Sequence, residues 1–382
     1  MIQELQCEGY KAFSSPLQIE TPQLTIFFGK NNSGKTTLVQ LPLLIAASLT
    51  NAEQFYSLSA RGLTFASSFT GLASAVDPHP SLSLGIRWSA RRRLAITLQH
   101  VASQRDPDYV QPSFIQVDGA RRAIKLGSRR AKTARDLINS ELSPEIRLRL
   151  DQRIDTLQDL LENLVYIPSF RPTIQPIYSA RPPLAWNIDE VPYILNSRRQ
   201  LLEAADEWFQ EYLDRSGIGI DQAAFAFRLV ETRDEAVVNF TQSGRGPQSS
   251  LPVVTLLLAI ASGIKRSPLV IIEEPEAHLH PSAHGDIADL ILSCLGKAQI
   301  MVETHSENLL LRMRRRIAEG ILSKDDIALH FIDDAHNVIK IPLDEFGGTD
   351  RWPSGIFESD IEEASAIVEA KISALTALGG QE

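Results

Sequence analysis

Residues 29–36 read Gly-Lys-Asn-Asn-Ser-Gly-Lys-Thr and match the pattern G-x-x-x-x-G-K-[ST]. The apolar run Leu24–Phe28 precedes this segment, and from Lys35 the apolar residues recur as in a buried helix. A strand, a glycine loop and a helix in this order predict a P-loop, because the glycines let the backbone N–H groups and the helix N-terminus face phosphate. Lys35 would neutralise the β- and γ-phosphates, and the Thr36 hydroxyl would bind Mg²⁺. The predicted nucleotide-binding residues are Gly29, Lys30, Asn31, Asn32, Ser33, Gly34, Lys35, Thr36 and Thr37.

The composition excludes several other classes of protein. With 382 residues, of which 43% are hydrophobic and 22% charged, the chain can bury a core, so it is neither disordered nor fibrous. Its two cysteines, Cys7 and Cys294, have no disulfide or zinc pattern and fit a reducing compartment. The longest apolar runs, Leu41–Leu49 and Leu251–Ala261, are shorter than the ~20 residues of a membrane span. We therefore expect a soluble cytoplasmic protein without a membrane partner.

Strand and helix patterns alternate along most of the chain, which predicts an α/β fold with parallel βαβ units. Short alternating stretches from Leu82 to Val117 predict an antiparallel β section, and a start signal at Ser143 predicts an amphipathic helix of about 20 residues as a short helical insertion. Further helices are predicted over Ile194–Leu213 and from about Leu251, and a strand over Ala236–Phe240. The predicted divisions are an N-terminal lobe (1–84), the β section with a basic helical insertion (85–165), a C-terminal lobe (166–357) and a tail (358–382).

Two acidic residues follow the apolar strand Leu269–Ile272. Ligands of open α/β sheets bind at the carboxyl ends of strands, where Glu273 and Glu274 lie. Glu273 is predicted to hold the Mg²⁺ through its water shell, and Glu274 to polarise the attacking water as general base. An isolated acidic pair is more often a solvated strand end than a site. Because this chain also has a predicted P-loop, we favour the site.

The apolar strand pattern before His305 also ends in polar residues. His305 is predicted to hydrogen-bond the γ-phosphate, and Glu303 or Thr304 could orient water. A surface histidine without a catalytic role fits the local sequence equally well. The histidines at 278, 280 and 284 suggest zinc, but no thiolate or further ligand pattern supports a metal cage there.

A second glycine-rich segment, Ser243–Ser250, precedes the apolar helix pattern from Leu251. Serine and glycine before a helix form an anion cradle, for which Ser243, Gly244 and Gly246 are the predicted contacts. A plain loop is the alternative.

These four elements, in this order, resemble the ABC-type ATPase heads of the structural-maintenance-of-chromosomes (SMC), RecF and overcoming-lysogenization-defect (OLD) group. The resemblance implies that residues 29–36 are the Walker A motif, the segment from Ser243 the signature loop, Glu273 and Glu274 the Walker B pair, and His305 the switch histidine. It leaves the serine that contacts the γ-phosphate open among Ser243, Ser249 and Ser250, because glutamine and serine stand in the opposite order to the family pattern.

A narrower resemblance rests on the segments 274–281 and 303–312 and on Trp352-Pro353-Ser354-Gly355-Ile356-Phe357. These look like bacterial AAA-family ATPases that end in a Trp-Pro-x-Gly-Phe-Phe segment, some of which are subunits of anti-phage defence systems, Septu-type among them. Glu273 stands where that group more often has aspartate, and His280 lies where transporters carry an aspartate.

The leading hypothesis is an ATPase (ATP hydrolase) that binds ATP and Mg²⁺ and forms a head-to-tail homodimer or larger homo-oligomer. Only 25 residues follow Phe357 (382 − 357), so a separate effector protein, with a nuclease as one candidate, is expected. The alternatives are a RecF-type repair ATPase, a slowly hydrolysing scaffold that senses DNA or a phage protein, a transporter ATPase and a small-molecule kinase. The basic region Arg121–Arg135 is either a nucleic-acid or acidic-partner contact or an ordinary solvated face.

Overall fold

The computed structural model of the chain describes residues 1–74, 80–101, 110–123, 133–134, 136, 142–213, 216–233, 236–350 and 352, with backbone alone at 121–123. Most of the basic region Arg121–Arg135, the segment 353–357 and the tail 358–382 lie outside the described side chains. In the described part of the chain, no helix combines the length and apolar character needed to cross a membrane.

A six-stranded sheet with the order β10-β15-β16-β3-β17-β18 lies at the centre of the fold and is parallel except for β18. Its strands are β3 Leu24–Gly29, β10 Val165–Ile167, β15 Leu269–Glu273, β16 Gln299–Thr304, β17 Ile327–Ile332 and β18 Val338–Ile341. The predicted α/β class is confirmed. The strand before the P-loop has β16 and β17 as its neighbours, so the end of β16 lies beside the P-loop.

Successive side chains of β3 enter two different cores, since strand residues alternate between faces. Leu24, Ile26 and Phe28 pack with five helices on one face, and Phe27 packs on the other face with the N-terminal sheet and its helices. The helices, numbered in chain order, are α1 Lys35–Val39, α2 Leu41–Thr50, α3 Phe69–Leu72, α4 Pro144–Asn163, α5 Val191–Ser197, α6 Arg199–Tyr212, α7 Arg245–Ala261, α8 His284–Leu292 and α9 Glu307–Ala318.

The second sheet is antiparallel, with the order β2-β1-β6-β7-β8-β9. Its strands are β1 Glu4–Glu8, β2 Leu17–Glu20, β6 Ser81–Ser89, β7 Arg92–His100, β8 Val110–Val117 and β9 Ala120–Ala123. The predicted antiparallel section is confirmed, and it continues the N-terminal hairpin, because β1 pairs with β6. The predicted division between residues 84 and 85 therefore falls inside β6.

The predicted helical insertion is α4, which packs on α2. Pro144 occupies its first turn, where a missing N–H removes no helical hydrogen bond. Arg153 on its buried face donates to both carboxylate oxygens of Asp118, at 3.1 and 3.2 Å, at the turn between β8 and β9.

A third, four-stranded antiparallel sheet was not predicted as a whole. It consists of β11 Tyr178–Ser179, β12 Gly217–Gln222, β13 Ala226–Arg233 and β14 Ala236–Asn239. Only β14 matches a predicted strand. A further pair, β4 Ser59–Ala60 and β5 Leu63–Thr64, forms a small hairpin.

Three helix predictions differ from the structure. The pattern from Lys35 forms two helices, because Pro42 has no N–H to continue the first. The helix predicted over Ile194–Leu213 is split at Arg198, where the Ser197 hydroxyl donates to the Ile194 carbonyl. The helix predicted from Leu251 begins six residues earlier, since Pro247 lies in its first turn and is tolerated there.

Candidate functional site

The two P-loop glycines have backbone conformations that other residues rarely adopt. Gly29 has φ +147° and Gly34 has φ +103°. A Cβ on Gly29 would collide with the Ile332 carbonyl of β17, and one on Gly34 would lie 2.8 Å from the Phe13 ring. The loop therefore packs directly on its surroundings at both ends, and α1 begins at the following residue, Lys35.

Lys35 is buried, with 3% of its surface exposed, and its Nζ donates to the Lys30 carbonyl at 2.6 Å. Burial lowers the pKa of its ammonium group. A buried cation whose main hydrogen bond goes to its own loop is suited to receive a phosphate. The Ser33 hydroxyl is also buried and has no hydrogen-bond partner. Asn31 and Asn32 are exposed at the tip of the loop.

The Thr36 hydroxyl donates to Glu303 Oε1 at 2.8 Å. Glu303 is the fifth residue of β16, and 3% of its surface is exposed. Burial raises the pKa of its carboxyl group to about 7, and the hydrogen bond from Thr36 opposes that shift. Its second oxygen, Oε2, is buried without a hydrogen-bond partner. An ordered oxygen ligand therefore lies directly beside the P-loop threonine.

Glu273 is the last residue of β15 and is buried. Its carboxylate accepts three hydrogen bonds, from Gln40 Nε2 at 2.6 Å, the Tyr166 hydroxyl at 2.7 Å and the Ser169 N–H at 3.0 Å. Burial, with the adjacent Glu273 charge, raises the pKa of Tyr166, so the phenol remains a donor. These contacts hold the end of β15 to the junction of α1 and α2, to β10 and to the chain after β10.

Glu274 has φ +44°, in the left-handed region, which costs a non-glycine residue about 1–2 kcal/mol. Its N–H donates to the Glu303 carbonyl at 2.8 Å. Arg171 Nη2 donates to the carbonyls of Glu273 and Glu274, at 2.8 and 3.2 Å. Burial lowers the pKa of Arg171 to about 10, so it stays charged at neutral pH. These bonds hold the turn that directs the Glu274 side chain.

His305 follows β16 and is exposed at the same edge of the sheet. Part of the ring is nevertheless covered, and this partial burial, followed by the Lys35 charge, lowers the pKa of His305, so the imidazole is neutral at pH 7. One ligand atom from each of Glu274, Glu303 and His305 lies within 4.8 Å of the others. The structure thus brings the predicted residues Lys35, Thr36, Glu274 and His305 together, with Glu303 at their centre.

Glu276 was not predicted as a site residue. It is buried, and its Oε1 accepts from the Thr304 hydroxyl at 2.7 Å and from the His305 N–H at 2.9 Å. Gln40, Tyr166 and Arg171 were likewise not predicted. An acidic residue two positions after Glu274 was a signal for Glu276, whereas nothing in the local sequence marked the other three.

The predicted signature residues lie at the start of α7. Gly244 is the N-cap and is exposed, whereas the Ser243 Oγ is buried without a partner. Ser249 and Ser250 are buried inside the helix, and the Ser250 hydroxyl donates to Pro247. Within the described residues, no hydrogen bond joins 243–250 to 29–37.

The start of α7 instead packs on the segment after β15. A Cβ on Gly246 would lie 3.0 Å from the His278 carbonyl. In the same segment, His284 hydrogen-bonds the Ser306 hydroxyl at 2.7 Å and the Leu279 carbonyl at 3.2 Å. Both nitrogens of its ring are therefore engaged in hydrogen bonds within the chain.

The residues at the P-loop fit ATP and Mg²⁺. A hydroxyl and carboxylates are the oxygen ligands that Mg²⁺ takes, and the partnerless Oε2 of Glu303 provides an open ligand position. Gly29 and Gly34 allow the tight loop that a phosphate-binding backbone needs, because a side chain at either position would clash with the protein.

Comparison with known proteins agrees with this geometry. A family model described as an AAA ATPase domain matches residues 127–310, which is slightly less than half of the chain and begins after the P-loop. No curated protein matches. The match, the P-loop and the converging carboxylates indicate an ATP-hydrolysing enzyme.

Solved structures of SMC heads are similar in fold. An SMC head bound to the C-winged helix domain of ScpA is 15% identical, with a TM-score of 0.51, over 90% of this chain and 98% of that chain. The head from Pyrococcus furiosus, with an extended coiled coil and bound to the C-terminal domain of ScpA, is 14% identical over 97% and 98%, with a TM-score of 0.49. The head from Thermotoga maritima is 11% identical over 90% and 99%, with a TM-score of 0.44. The first of these shows a P-loop ATPase-head fold, as predicted.

Proposed function

We propose that the chain is a Mg-ATP-dependent ATPase whose heads pair head to tail, and whose ATP binding and hydrolysis control a separate effector protein in bacterial anti-phage defence. The pairing rests on where α7 begins. Its N-terminus is exposed at Gly244 and Arg245, packs on His278, and is not hydrogen-bonded to the chain's own P-loop among the described residues. An exposed helix N-terminus with an anion-binding sequence suits the phosphate held by a second copy.

The residues at the P-loop have separate roles in this proposal. Lys35 neutralises the phosphates, and Thr36 with the adjoining carboxylates holds Mg²⁺, which supplies positive charge to the phosphoryl oxygens. Glu274 accepts the proton of the attacking water. Neutral His305 donates a hydrogen bond to the γ-phosphate, since its pKa is lowered from the ordinary 6.5.

The dimer is tested with Glu274→Gln, which should slow turnover but keep ATP binding. At saturating ATP we expect this variant to have twice the monomer mass in light scattering, and Lys35→Ala added to it should restore the monomer. A Glu274→Gln protein that binds ATP and stays monomeric contradicts the head-to-tail model.

Gly244→Asp, placed in the Glu274→Gln background, tests the role of α7. Gly244 has φ −59°, and a Cβ there would approach only Pro247 Cδ, at 3.8 Å. Aspartate is also a favoured N-cap, so the variant should fold. Its negative charge would repel the γ-phosphate of the partner. We expect ATP binding to persist and the dimer to be lost; an undiminished dimer would exclude α7 from the interface.

The effector and the defence role are supported by the motif resemblance around Glu274 and His305. In addition, the SMC head with a TM-score of 0.51 is bound to a domain of a second protein, ScpA. In our proposal, this ATPase head likewise acts through a separate protein. The test is expression of the native locus in a host challenged with phage, scored by plating efficiency.

We expect protection that Lys35→Ala abolishes, together with co-purification of a neighbouring gene product. Full protection by the isolated chain would refute the separate effector. DNA-stimulated turnover combined with a repair defect would favour the RecF-type alternative.

A further inference from the structure

We propose that Glu303, rather than Glu273, is the carboxylate that holds the nucleotide-bound Mg²⁺ together with Thr36. This inference rests on the proposed Mg-ATPase function and deepens it. Glu273 is then a positioning residue that fixes the end of β15.

Glu303 meets the requirements of a metal ligand at the P-loop. Its Oε1 already contacts the Thr36 hydroxyl at 2.8 Å, and its Oε2 is buried with no hydrogen-bond partner. Because the residue is 97% buried (100 − 3), no bulk water compensates that oxygen. A cation held by Glu303 beside Thr36 would satisfy this oxygen.

Glu273 has little capacity left for a cation. Its Oε1 accepts from Gln40 and Tyr166, and its Oε2 accepts from the Ser169 N–H. A carboxylate accepts about four hydrogen bonds, so three of these positions are filled by groups that are themselves packed in place. Mg²⁺ or its bound water would therefore be limited to the one remaining position of Glu273, unless a packed donor is displaced and left unsatisfied.

The order of the strands places Glu303 nearer to the P-loop strand than Glu273. β16 is hydrogen-bonded to β3, whereas β15 is one strand further from the P-loop. Glu303 pairs with Phe27 in the register of these strands and lies between Glu273 and the P-loop strand. The ligand atoms that converge within 4.8 Å are accordingly those of Glu274, Glu303 and His305.

The experiment measures how much Mg²⁺ strengthens nucleotide binding. The affinity for AMPPNP, which is not hydrolysed, is determined by calorimetry with Mg²⁺ and with EDTA for the wild type, Glu303→Gln and Glu273→Gln. Glutamine at 303 keeps an oxygen for the Thr36 hydroxyl, so the EDTA affinity should be retained. We expect the increase in AMPPNP affinity caused by Mg²⁺ to be about tenfold or more smaller in Glu303→Gln than in the wild type. In Glu273→Gln this increase should stay within about threefold of the wild-type value.

Mn²⁺ provides a readout that does not depend on nucleotide affinity. The electron paramagnetic resonance spectrum of Mn-AMPPNP should change between the wild type and Glu303→Gln and be the same in the wild type and Glu273→Gln. Thermal unfolding without nucleotide controls for folding of each variant.

Two results overturn the inference. One is a Glu303→Gln protein in which Mg²⁺ strengthens AMPPNP binding as much as in the wild type. The other is an equal loss of this Mg²⁺ effect in Glu273→Gln and Glu303→Gln, because Glu303 would then not be the metal ligand in place of Glu273. A wild-type protein that binds AMPPNP equally with Mg²⁺ and EDTA, or not at all, would instead refute the Mg-ATPase function itself.

Discussion

Removing the Glu276 carboxylate should slow ATP hydrolysis with little effect on ATP binding. Glu276 joins the turn after β15, which carries Glu274, to the end of β16, which carries His305. Its Oε1 accepts from the Thr304 hydroxyl and from the His305 N–H. Together with the hydrogen bond from the Glu274 N–H to the Glu303 carbonyl, this buried side chain holds the proposed catalytic glutamate and the histidine relative to each other.

The magnitude follows from these two hydrogen bonds. Each bond to a charged acceptor contributes about 1.5–3 kcal/mol, so Glu276→Ala removes about 3–6 kcal/mol of favourable contact. Burial raises the pKa of Glu276, which means that the buried carboxylate is itself unfavourable, and its removal offsets part of the loss. We expect a net destabilisation of about 2–4 kcal/mol. Glu276→Gln keeps an acceptor oxygen and should cost about 1 kcal/mol or less.

The kinetic effect should be larger for kcat than for KM. A displacement of a catalytic group by about 1 Å can cost about 100-fold in rate, and the alanine variant leaves the end of β16 free to shift by such a distance. The hydrogen bonds of Glu276 go to Thr304 and His305 and not to the P-loop. We expect kcat to fall about 10- to 100-fold with KM for ATP within about threefold.

The assay is steady-state phosphate release for the wild type, both Glu276 variants and Glu53→Ala, an exposed glutamate that serves as control. Urea unfolding of the same proteins separates lost stability from lost positioning. If Glu276→Ala is folded at the assay temperature and keeps kcat within twofold, the contact does not position the catalytic residues. A raised KM with unchanged kcat would place its effect on nucleotide binding instead.

Other predictions concern stability and the P-loop. Burial lowers the pKa of His330 to about 4 from an ordinary 6.5. The neutral ring therefore contributes about 3 kcal/mol to the free energy of unfolding above pH 6.5, and this contribution is lost as the pH falls towards 4. Urea unfolding between pH 4.5 and 8 should show a shallower pH dependence for His330→Phe than for the wild type or the control His280→Gln; equal slopes would refute this. Arg153→Met removes the ion-pair partner of the buried Asp118, which keeps the hydrogen bond from the Arg93 N–H, and should destabilise the chain by about 3–5 kcal/mol. Changing Arg153 and Asp118 together to apolar residues should recover part of the loss in the same measurement. Gly34→Ala should abolish nucleotide binding in calorimetry, since φ +103° and the adjacent ring both exclude a Cβ; retained binding would contradict the packing of the loop.

The central sheet could be predicted because its information is local. The run Leu24–Phe28, the glycine loop and the helix after it are contiguous, and the polar ends of β15 and β16 follow apolar runs that only a buried strand explains. The antiparallel section from Leu82 was predictable in the same way, by alternation. The third sheet was predicted only at β14, because β11 has two residues and the side chains of β12 do not alternate between buried and exposed.

The contacts that organise the site could not be read from the sequence, because they join distant residues. Gln40 and Glu273 are 233 positions apart, and Thr36 and Glu303 are 267 apart. Only the placement of β16 between β15 and β3 brings them together, and strand order across a parallel sheet leaves no local pattern.

The start of α7 bears on the choice among the three candidate serines of the predicted signature loop. The glycines and the proline of residues 244–247 suggested a loop, yet a proline in the first helical turn loses no hydrogen bond, and the helix includes Ser249 and Ser250. Both serines are consequently buried, which leaves Ser243 as the one of the three beside the exposed N-cap. Its hydroxyl faces inward without a partner, so it can rotate towards a phosphate without breaking a hydrogen bond. Ser243→Ala should therefore weaken the ATP-dependent dimer of Glu274→Gln without lowering the stability of the monomer, whereas Ser250→Ala should leave the dimer intact; the reverse pattern in light scattering would show that the helix start unwinds on pairing.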